Sequence, residues 1–414
     1  MADVVIAGAG PAGATLALLL GRAGLSVEIY DAKKFPREKP CGEGIMPAGV
    51  AVLERHGLRA AVGGRPLASV RYHGFGLTAE AKFPVRADGS APVVLGQRRW
   101  ALDQTLLAAA RATPGVRVFE EAPVEGAAVE SGRAIGLRVG GDLRRGGLVV
   151  GADGLDSPVR RSLGLERRGR QGHDWRVGVR THYRLAAGRG EPSRLEIFIG
   201  RGYELYAAPL PYNELLVAAL GDRDALGSSA REAMGRWIGE QPRLREWLDG
   251  ATPLTRLDGR APVTRRARAG FAPGAVLLGD AARATDPLTA GGIAHALVTA
   301  ERLAAVIPRA LAEGDAPIAF FDRERRRLLR AHDWLTRALV FLVDRPLLAR
   351  ATMLGMRATP RLMSALLGIG GGVGIQPPAP ARASVTAAIS AAAALPASSA
   401  TDQNATLSQR AGSA

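Results

Sequence analysis

The sequence predicts an α/β protein in which a parallel-sheet nucleotide unit is interrupted by a β-rich segment and closed by helices. Three observations carry that expectation. The chain opens as strand, glycine turn, helix and strand in "DVVIAGAGPAGATLALLLGRAGLSVEIYDA", a βαβ unit. Strand-like alternation then dominates 66–95 and 174–222, as in "WRVGVRTHYRL" and "LEIFIGRGYELYAAPL". After a further apolar run, "GAVLLGD", helix-forming stretches return at 291–312 and 316–345, with another earlier at 228–248.

Composition narrows the class. With 414 residues the chain is long for one hydrophobic core, so two domains are expected. The longest apolar candidate, "RALVFLV" near Leu339, is too short to span a bilayer. The first residues run straight into a strand, so no leader is expected and a cytoplasmic location is. A single cysteine, Cys41, excludes a disulfide framework and a Cys-rich zinc site. The six histidines do not cluster at ligand spacing, so no metal is expected. A net charge of +16 invites a nucleic-acid reading. Against it, lysines are confined to Lys33, Lys34, Lys39 and Lys82, arginines are scattered, and aromatics make up 5%. Base-stacking platforms need more than that; an anionic cofactor fits better.

Taken in order, Gly8-Ala-Gly10-Pro-Ala-Gly13 matches G-x-G-x-x-G between a strand and a helix with Pro11 near its first turn. The first glycine permits the tight turn, the second lets a pyrophosphate approach the backbone, and the third lets helix and strand pack closely. Free N–H groups at the helix start favour the phosphates. Asp31 closes the second strand 18 positions after Gly13, where an acid accepts hydrogen bonds from a ribose. A bound dinucleotide follows. A helix is expected around 47–56 and another in "RRWALDQTLLAAARA". "LVVGADG" ends a strand on Asp153-Gly154, and "GAVLLGD" ends one on Gly279-Asp280. "GIGGGVG" at 368–374 reads as a helix stop, and the Ala/Ser/Pro-rich 376–414 as a disordered tail.

The G-x-G-x-x-G, Asp-Gly and Gly-Asp elements stand in this order, with Arg99 four residues before Asp103 in "GQRRWALDQTLL". Together they resemble the flavoprotein hydroxylases of the para-hydroxybenzoate hydroxylase type and the related geranylgeranyl reductases, over roughly residues 1–330. The resemblance implies bound FAD and NAD(P)H as co-substrate. It implies that Arg99 approaches the FAD phosphates, that Asp153 lies near the pyrophosphate and the NAD(P)H approach, and that Asp280 holds a ribityl hydroxyl. Pro287, Gly291 and Gly292 would let the isoalloxazine lie against backbone, with the helix that follows stabilising charge on the reduced ring. "FPREKPCGEGIMPAGV" (35–50) resembles the segment after the second strand in the same superfamily, which puts Arg37 near the cofactor and Cys41 on the substrate side. Cys41 is the candidate catalytic residue, weighed against a small packed side chain.

The expected organisation is an FAD-binding domain at 1–70, 96–165 and 266–330, and a substrate domain at 71–95 and 166–265. C-terminal helices at 331–375 and the tail follow. The leading expectation is a monooxygenase hydroxylating an aromatic or polyketide-type small molecule. Geranylgeranyl-reductase-like reduction of a double bond is the first alternative, and a non-catalytic flavin-binding protein the second. Archaeal-type prenyl reductases carry Tyr-x-Trp-x-Phe-Pro; in "GYELYAAPLP" Tyr203 and Pro209 are one residue further apart and the Trp and Phe are missing. The Trp-x-Trp-x-Ile-Pro motif of the tryptophan halogenases is also missing. Tyr203 and Tyr206 read first as sheet-edge packing, Asp286 as a solvated turn residue and His295 as packed or surface. The amphipathic 337–367 reads first as cover for the flavin domain and second as a contact with a membrane surface.

Overall fold

The computed structural model describes residues 1–86, 88–167, 176–187, 193–343 and 345–373. The expected tail, 376–414, lies outside the described residues.

The nucleotide unit is a sheet whose parallel strands run in the order Ala275–Leu277, Asp142–Gly151, Ala2–Ala7, Val27–Tyr30 and Val116–Phe119, with Phe271–Ala272 antiparallel at one edge. Helices cover such sheets on both faces, which is why these strands read as unbroken apolar runs rather than alternating ones. The chain moves from Ala2–Ala7 outward to one side and later returns on the other. That reversal opens a crevice at the carboxyl ends of Ala2–Ala7 and Asp142–Gly151.

A second, largely antiparallel sheet is ordered Thr252–Pro253, Arg176–Arg184, Glu214–Asp222, Tyr203–Leu210, Leu195–Ile199, Ser69–Gly74 and Leu77–Lys82. Leu195–Ile199 and Ser69–Gly74 pair in parallel. Tyr203–Leu210 is an interior strand buried along its whole length, which overturns the edge-packing expectation for its tyrosines. A spacing of three puts them on opposite faces of the strand. Tyr203 stacks on Trp237 with ring centroids 4.8 Å apart, in an outer core with Met234, Leu244 and Trp247. Tyr206 joins the main core, which holds Val4 and Ile6 of the first sheet and Ile197 and Leu216 of the second.

The stretch expected as one helix at 228–248 is two, Ala230–Gly239 and Pro242–Leu248, because a proline cannot continue the first. Helix Gly292–Glu313 packs on the first helix, Pro11–Arg22. Helices Arg330–Val343, Pro346–Ala358 and Pro360–Gly370 close the far side, and the last two lie against strand Leu77–Lys82. The segment 337–367 therefore covers the second sheet. Helix Pro360–Gly370 stops within the glycine run, where Gly372 takes φ +67°; Gly374 lies outside the described residues. Among the described residues no helix is long and apolar enough to cross a membrane.

Candidate functional site

The three signatures meet because they end three adjacent strands. Gly8 follows Ala2–Ala7 at φ +94°, and a Cβ there would lie 2.4 Å from the Ala152 carbonyl oxygen. A Cβ on Gly13 would lie 1.9 Å from the Gly8 carbonyl oxygen, so helix and turn close only around glycine. Gly10 differs: its missing Cβ faces the guanidinium groups of Arg99 and Arg37, at 3.6 and 3.8 Å. Helix Pro11–Arg22 starts there with no side-chain cap, leaving its first N–H groups for a ligand. Asp31 accepts hydrogen bonds from the backbone of Ala9 (2.8 Å) and Lys33 (2.9 Å), bracing the glycine turn. Its remaining lone pairs can still take ribose hydroxyls.

Opposite the turn stands a cationic wall. Arg99 is buried and donates from Nε to Asp103 at 2.7 Å; Arg37 lies 3.3 Å from Asp103 and 3.8 Å from Asp31. Burial alone would lower the Arg99 pKa, but Asp103 and then Cys41 hold it above the usual range. Lys39 Nζ would sit 3.4 Å from a Cβ on Gly154, and burial, then Arg99, pushes its pKa down while Asp280 opposes. Lys39 thus marks the point where Arg99, Arg37, Asp103, Asp280 and the Asp153-Gly154 turn converge. Asp153 accepts from the Val159 backbone through Oδ2 (3.1 Å), while Oδ1 is buried without a partner and burial raises its pKa. Three cations, free helix N–H groups and an orphaned carboxylate oxygen fit the diphosphate and hydroxyls of a dinucleotide. Cys41 is partly buried beside Arg99, its sulfur accepting from the Glu43 backbone at 3.3 Å.

Sequence reasoning noted Asp103 only as the acid after Arg99, and missed Lys39 and a buried pair that ties this wall to the second sheet. Glu43, fully buried at φ +54°, accepts from the Arg99 backbone (2.9 Å) and contacts His182 Nε2 at 2.8 Å. His182 is also fully buried and touches Arg180, which reaches Glu38 at 2.6 Å.

The loop after Asp280 departs from expectation in two places. Asp286 is not a solvated turn residue: it is 4% exposed and held by Arg176, itself 1% exposed. Gly291 makes room for protein as well, since a Cβ there would lie 2.5 Å from His332 Nε2 and 2.8 Å from His295 Cε1. The two imidazoles pack edge-on at 4.1 Å. Burial keeps both neutral, His332 down at about 4, with Thr289 Oγ1 2.9 Å from its Nε2. His295 is packed, as expected. At Gly292, by contrast, a Cβ meets no atom within 4 Å, and Pro287 is exposed at the start of the turn Pro287–Thr289. These two positions and half-buried Asp280 are where the loop is open.

Next to this loop lies a cavity of about 110 Å³ between the second sheet and the C-terminal helices. Its walls are apolar, among them Val70, Ile197, Leu339, Leu342, Met353 and Met363. The polar groups reaching it are few: Tyr72, Glu204, Tyr206, Thr289 and Thr352. Burial pushes the Glu204 carboxyl up to about 7 although Arg176 opposes the shift. The Tyr206 hydroxyl lies 3.1 Å from Glu204 and 2.9 Å from the Leu288 carbonyl oxygen. When Glu204 is protonated, the chain Glu204 to Tyr206 to Leu288 is a satisfied donor sequence linking cavity and loop.

The family described as the FAD binding domain matches residues 1–337. The menaquinone reductase of Mycolicibacterium smegmatis is 31% identical over 320 residues, covering 73% of this chain and 75% of that protein. Digeranylgeranylglycerophospholipid reductase 1 of Methanopyrus kandleri is 30% identical over 337 residues, covering 78% and 85%. In fold, the chain matches the flavin-dependent brominase Bmp2 with a TM-score of 0.77 at 20% identity, over 91% of this chain and 94% of the other.

Proposed function

The chain belongs to the FAD-binding-domain family of flavoprotein oxidoreductases, and from that premise we propose that it reduces a carbon–carbon double bond in a lipophilic, isoprenoid-type substrate. The single observation that carries this reading is the apolar cavity beside the Asp286–Gly292 loop. A cavity with this lining returns affinity for hydrocarbon, at roughly 25 cal/mol per Å² of apolar surface buried, and offers few hydrogen bonds to a polar aromatic. This reverses the order of the two readings drawn from the sequence. The helices that wall the cavity also expose Trp334, Phe341, Leu347, Leu348, Leu354 and Leu362, which suits a substrate delivered from a lipid phase.

Bound FAD supplies the two electrons of the reaction, and NAD(P)H is proposed as their source. The chain's own part is positioning and protons. The Gly8–Gly13 turn, the helix N-terminus and the Arg37–Lys39–Arg99 wall would hold the diphosphate. Asp31 and Asp280 would take hydroxyl groups. The cavity walls exclude water from the reacting carbons. Glu204, protonated below about pH 7, holds a proton at the inner polar end of the cavity. Cys41, beside Arg99, is proposed to border the substrate side.

Hydroxylation of an aromatic substrate is the second reading. What favours it is the same Glu204–Tyr206 pair, which above pH 7 can instead take the proton of a phenol and make the ring electron-rich. Anaerobic turnover of the reduced protein with a menaquinone or a geranylgeranyl lipid tests the first reading. A product two hydrogens heavier is expected; strict dependence on O₂ with an oxygenated product would establish the second.

A further inference from the structure

The segment 37–43 carries three of the groups gathered at the cofactor cleft, Arg37, Lys39 and Cys41. It forms no helix or strand, so its course is set from outside. Two anchors reach it, both from strand Arg176–Arg184 of the second sheet. Arg180 donates to Glu38 at 2.6 Å, and His182 meets Glu43 at 2.8 Å. Residues two apart on a strand share a face, so one strand holds both ends of the segment.

Glu43 is the unexpected partner. Its backbone stands at φ +54° between Gly42 and Gly44, a region where glycine is the default residue. Its side chain is nonetheless a fully buried carboxyl group. A left-handed non-glycine backbone and a buried acid are each costly, and the first is kept mainly where function needs it. Oε1 accepts from the Arg99 backbone at 2.9 Å, which caps helix Arg99–Arg111; the N-cap residue, Arg98, supplies no side-chain cap. Oε2 faces His182 Nε2. The other neighbour of His182 fixes its proton. Arg180 Nη1 lies 3.0 Å from Nδ1, and a guanidinium only donates, so Nδ1 accepts and the ring proton stays on Nε2, toward Glu43. Arg180, His182 and Glu43 thus run donor to acceptor without a break, up to the helix that carries Arg99.

We propose that Glu43 and His182 are positioning residues for the flavin. The Nε2–H tautomer of His182 holds the Glu43 side chain, and Glu43 holds Arg99 and the stretch 37–41 in the arrangement that grips the diphosphate. The inference rests on FAD binding and is the same whichever chemistry follows.

Flavin affinity is read by fluorescence titration of the full-length apoprotein. Release of the segment is read by the rate at which iodoacetamide alkylates Cys41, the single cysteine, at saturating FAD. Glu43→Gln keeps the shape but replaces one acceptor by an NH₂ group, which must face either the Arg99 N–H or the His182 Nε2–H. FAD binding weaker by about tenfold or more is expected, with faster alkylation. Arg180→Met should rescue it. With no donor on Nδ1, His182 can carry its proton there, toward Thr255 Oγ1 at 3.0 Å, and accept from the new amide at Nε2. In the Arg180→Met background Glu43→Gln should therefore cost about threefold or less, whereas a merely structural role would cost the same in both backgrounds. Unchanged affinity and alkylation in Glu43→Gln, or an equal loss in both backgrounds, overturns the proposal. Should Glu43→Gln not fold, His182→Gln, which keeps a donor within reach of Glu43, is compared with His182→Leu, which removes it. Affinity retained in the first and lowered about tenfold in the second is expected; equal affinities overturn the proposal.

Discussion

Asp286 receives Arg176 Nη1 on both carboxylate oxygens, at 2.9 Å each, with both side chains buried. Arg176 opens a strand of the second sheet, and Asp286 sits six residues past Asp280 on the loop of the nucleotide unit. The pair fastens the second sheet to the loop of the nucleotide unit. Removing one partner strands a buried charge, so Asp286→Ala should cost about 3 kcal/mol of stability. Glu204, 3.4 Å from Arg176, softens that loss. A lowered denaturation midpoint that Arg176→Met/Asp286→Leu largely recovers is expected; an unchanged midpoint in Asp286→Ala would show that the pair is not structural.

Asp280 should behave in the opposite way. It is half-buried, and it acts on Lys39 in the cleft. Asp280→Ala should leave the apoprotein's melting temperature unchanged and weaken FAD roughly ten- to a hundredfold, the worth of a charged hydrogen bond of about 1.5–3 kcal/mol. Flavin fluorescence titration reads it directly. Wild-type affinity would mean that Asp280 does not touch the ribityl chain.

The glycines separate fold from ligand. Gly13→Ala drives a Cβ into the Gly8 carbonyl oxygen and should abolish flavin retention. Gly292→Ala meets no protein atom within 4 Å, so the apoprotein should fold as wild type. A drop in its flavin-to-protein ratio would then report the ring lying against that backbone. Full flavin content and activity in Gly292→Ala would place the ring elsewhere.

What was legible in the sequence was whatever lies within one strand–turn–helix unit. Gly8, Asp31, Asp153 and Asp280 announce themselves because each follows the carboxyl end of an apolar run, with Gly10 and Gly13 at the helix start just beyond the first, and a parallel sheet gathers those ends on one side. Glu43 and His182 stand 139 residues apart, and Arg176 and Asp286 stand 110 apart. No local period links such pairs; they exist only because two sheets pack. Glu204 carried a weak signal that sequence reasoning passed over. Its strand is interior, so Glu204, Tyr206 and Ala208 share one face, and a carboxylate on that face of an otherwise apolar strand is the mark of a site. Tyr206, read as edge packing together with Tyr203, stands on the same face as Glu204 and borders the same cavity. Gly291 was assigned to the ligand because sequence shows that a side chain is missing, not which atoms fill the space.

Glu204 gives the last test, and its sign is definite. Burial raises its pKa to about 7, above the usual glutamate range. The folded protein therefore binds more protons than the unfolded chain between about pH 4.5 and 7. This contribution to stability is fully present below pH 4.5 and is lost as the pH rises through 7. Glu204→Gln keeps the neutral shape and cannot ionise, so it should flatten the decline and gain about 1–3 kcal/mol over wild type at pH 8. Urea midpoints at pH 5 and pH 8 measure it, and a parallel pH dependence in wild type and variant would remove Glu204 from the account. The same group separates the two chemistries. As a proton donor for double-bond reduction it must be protonated, so kcat/KM should fall above pH 7 and Glu204→Gln should lose that limb along with most of its rate. As a base that activates a phenol for hydroxylation it must be ionised, so kcat/KM should instead rise through pH 7. The apolar cavity favours the first profile; the second would return the protein to the hydroxylases.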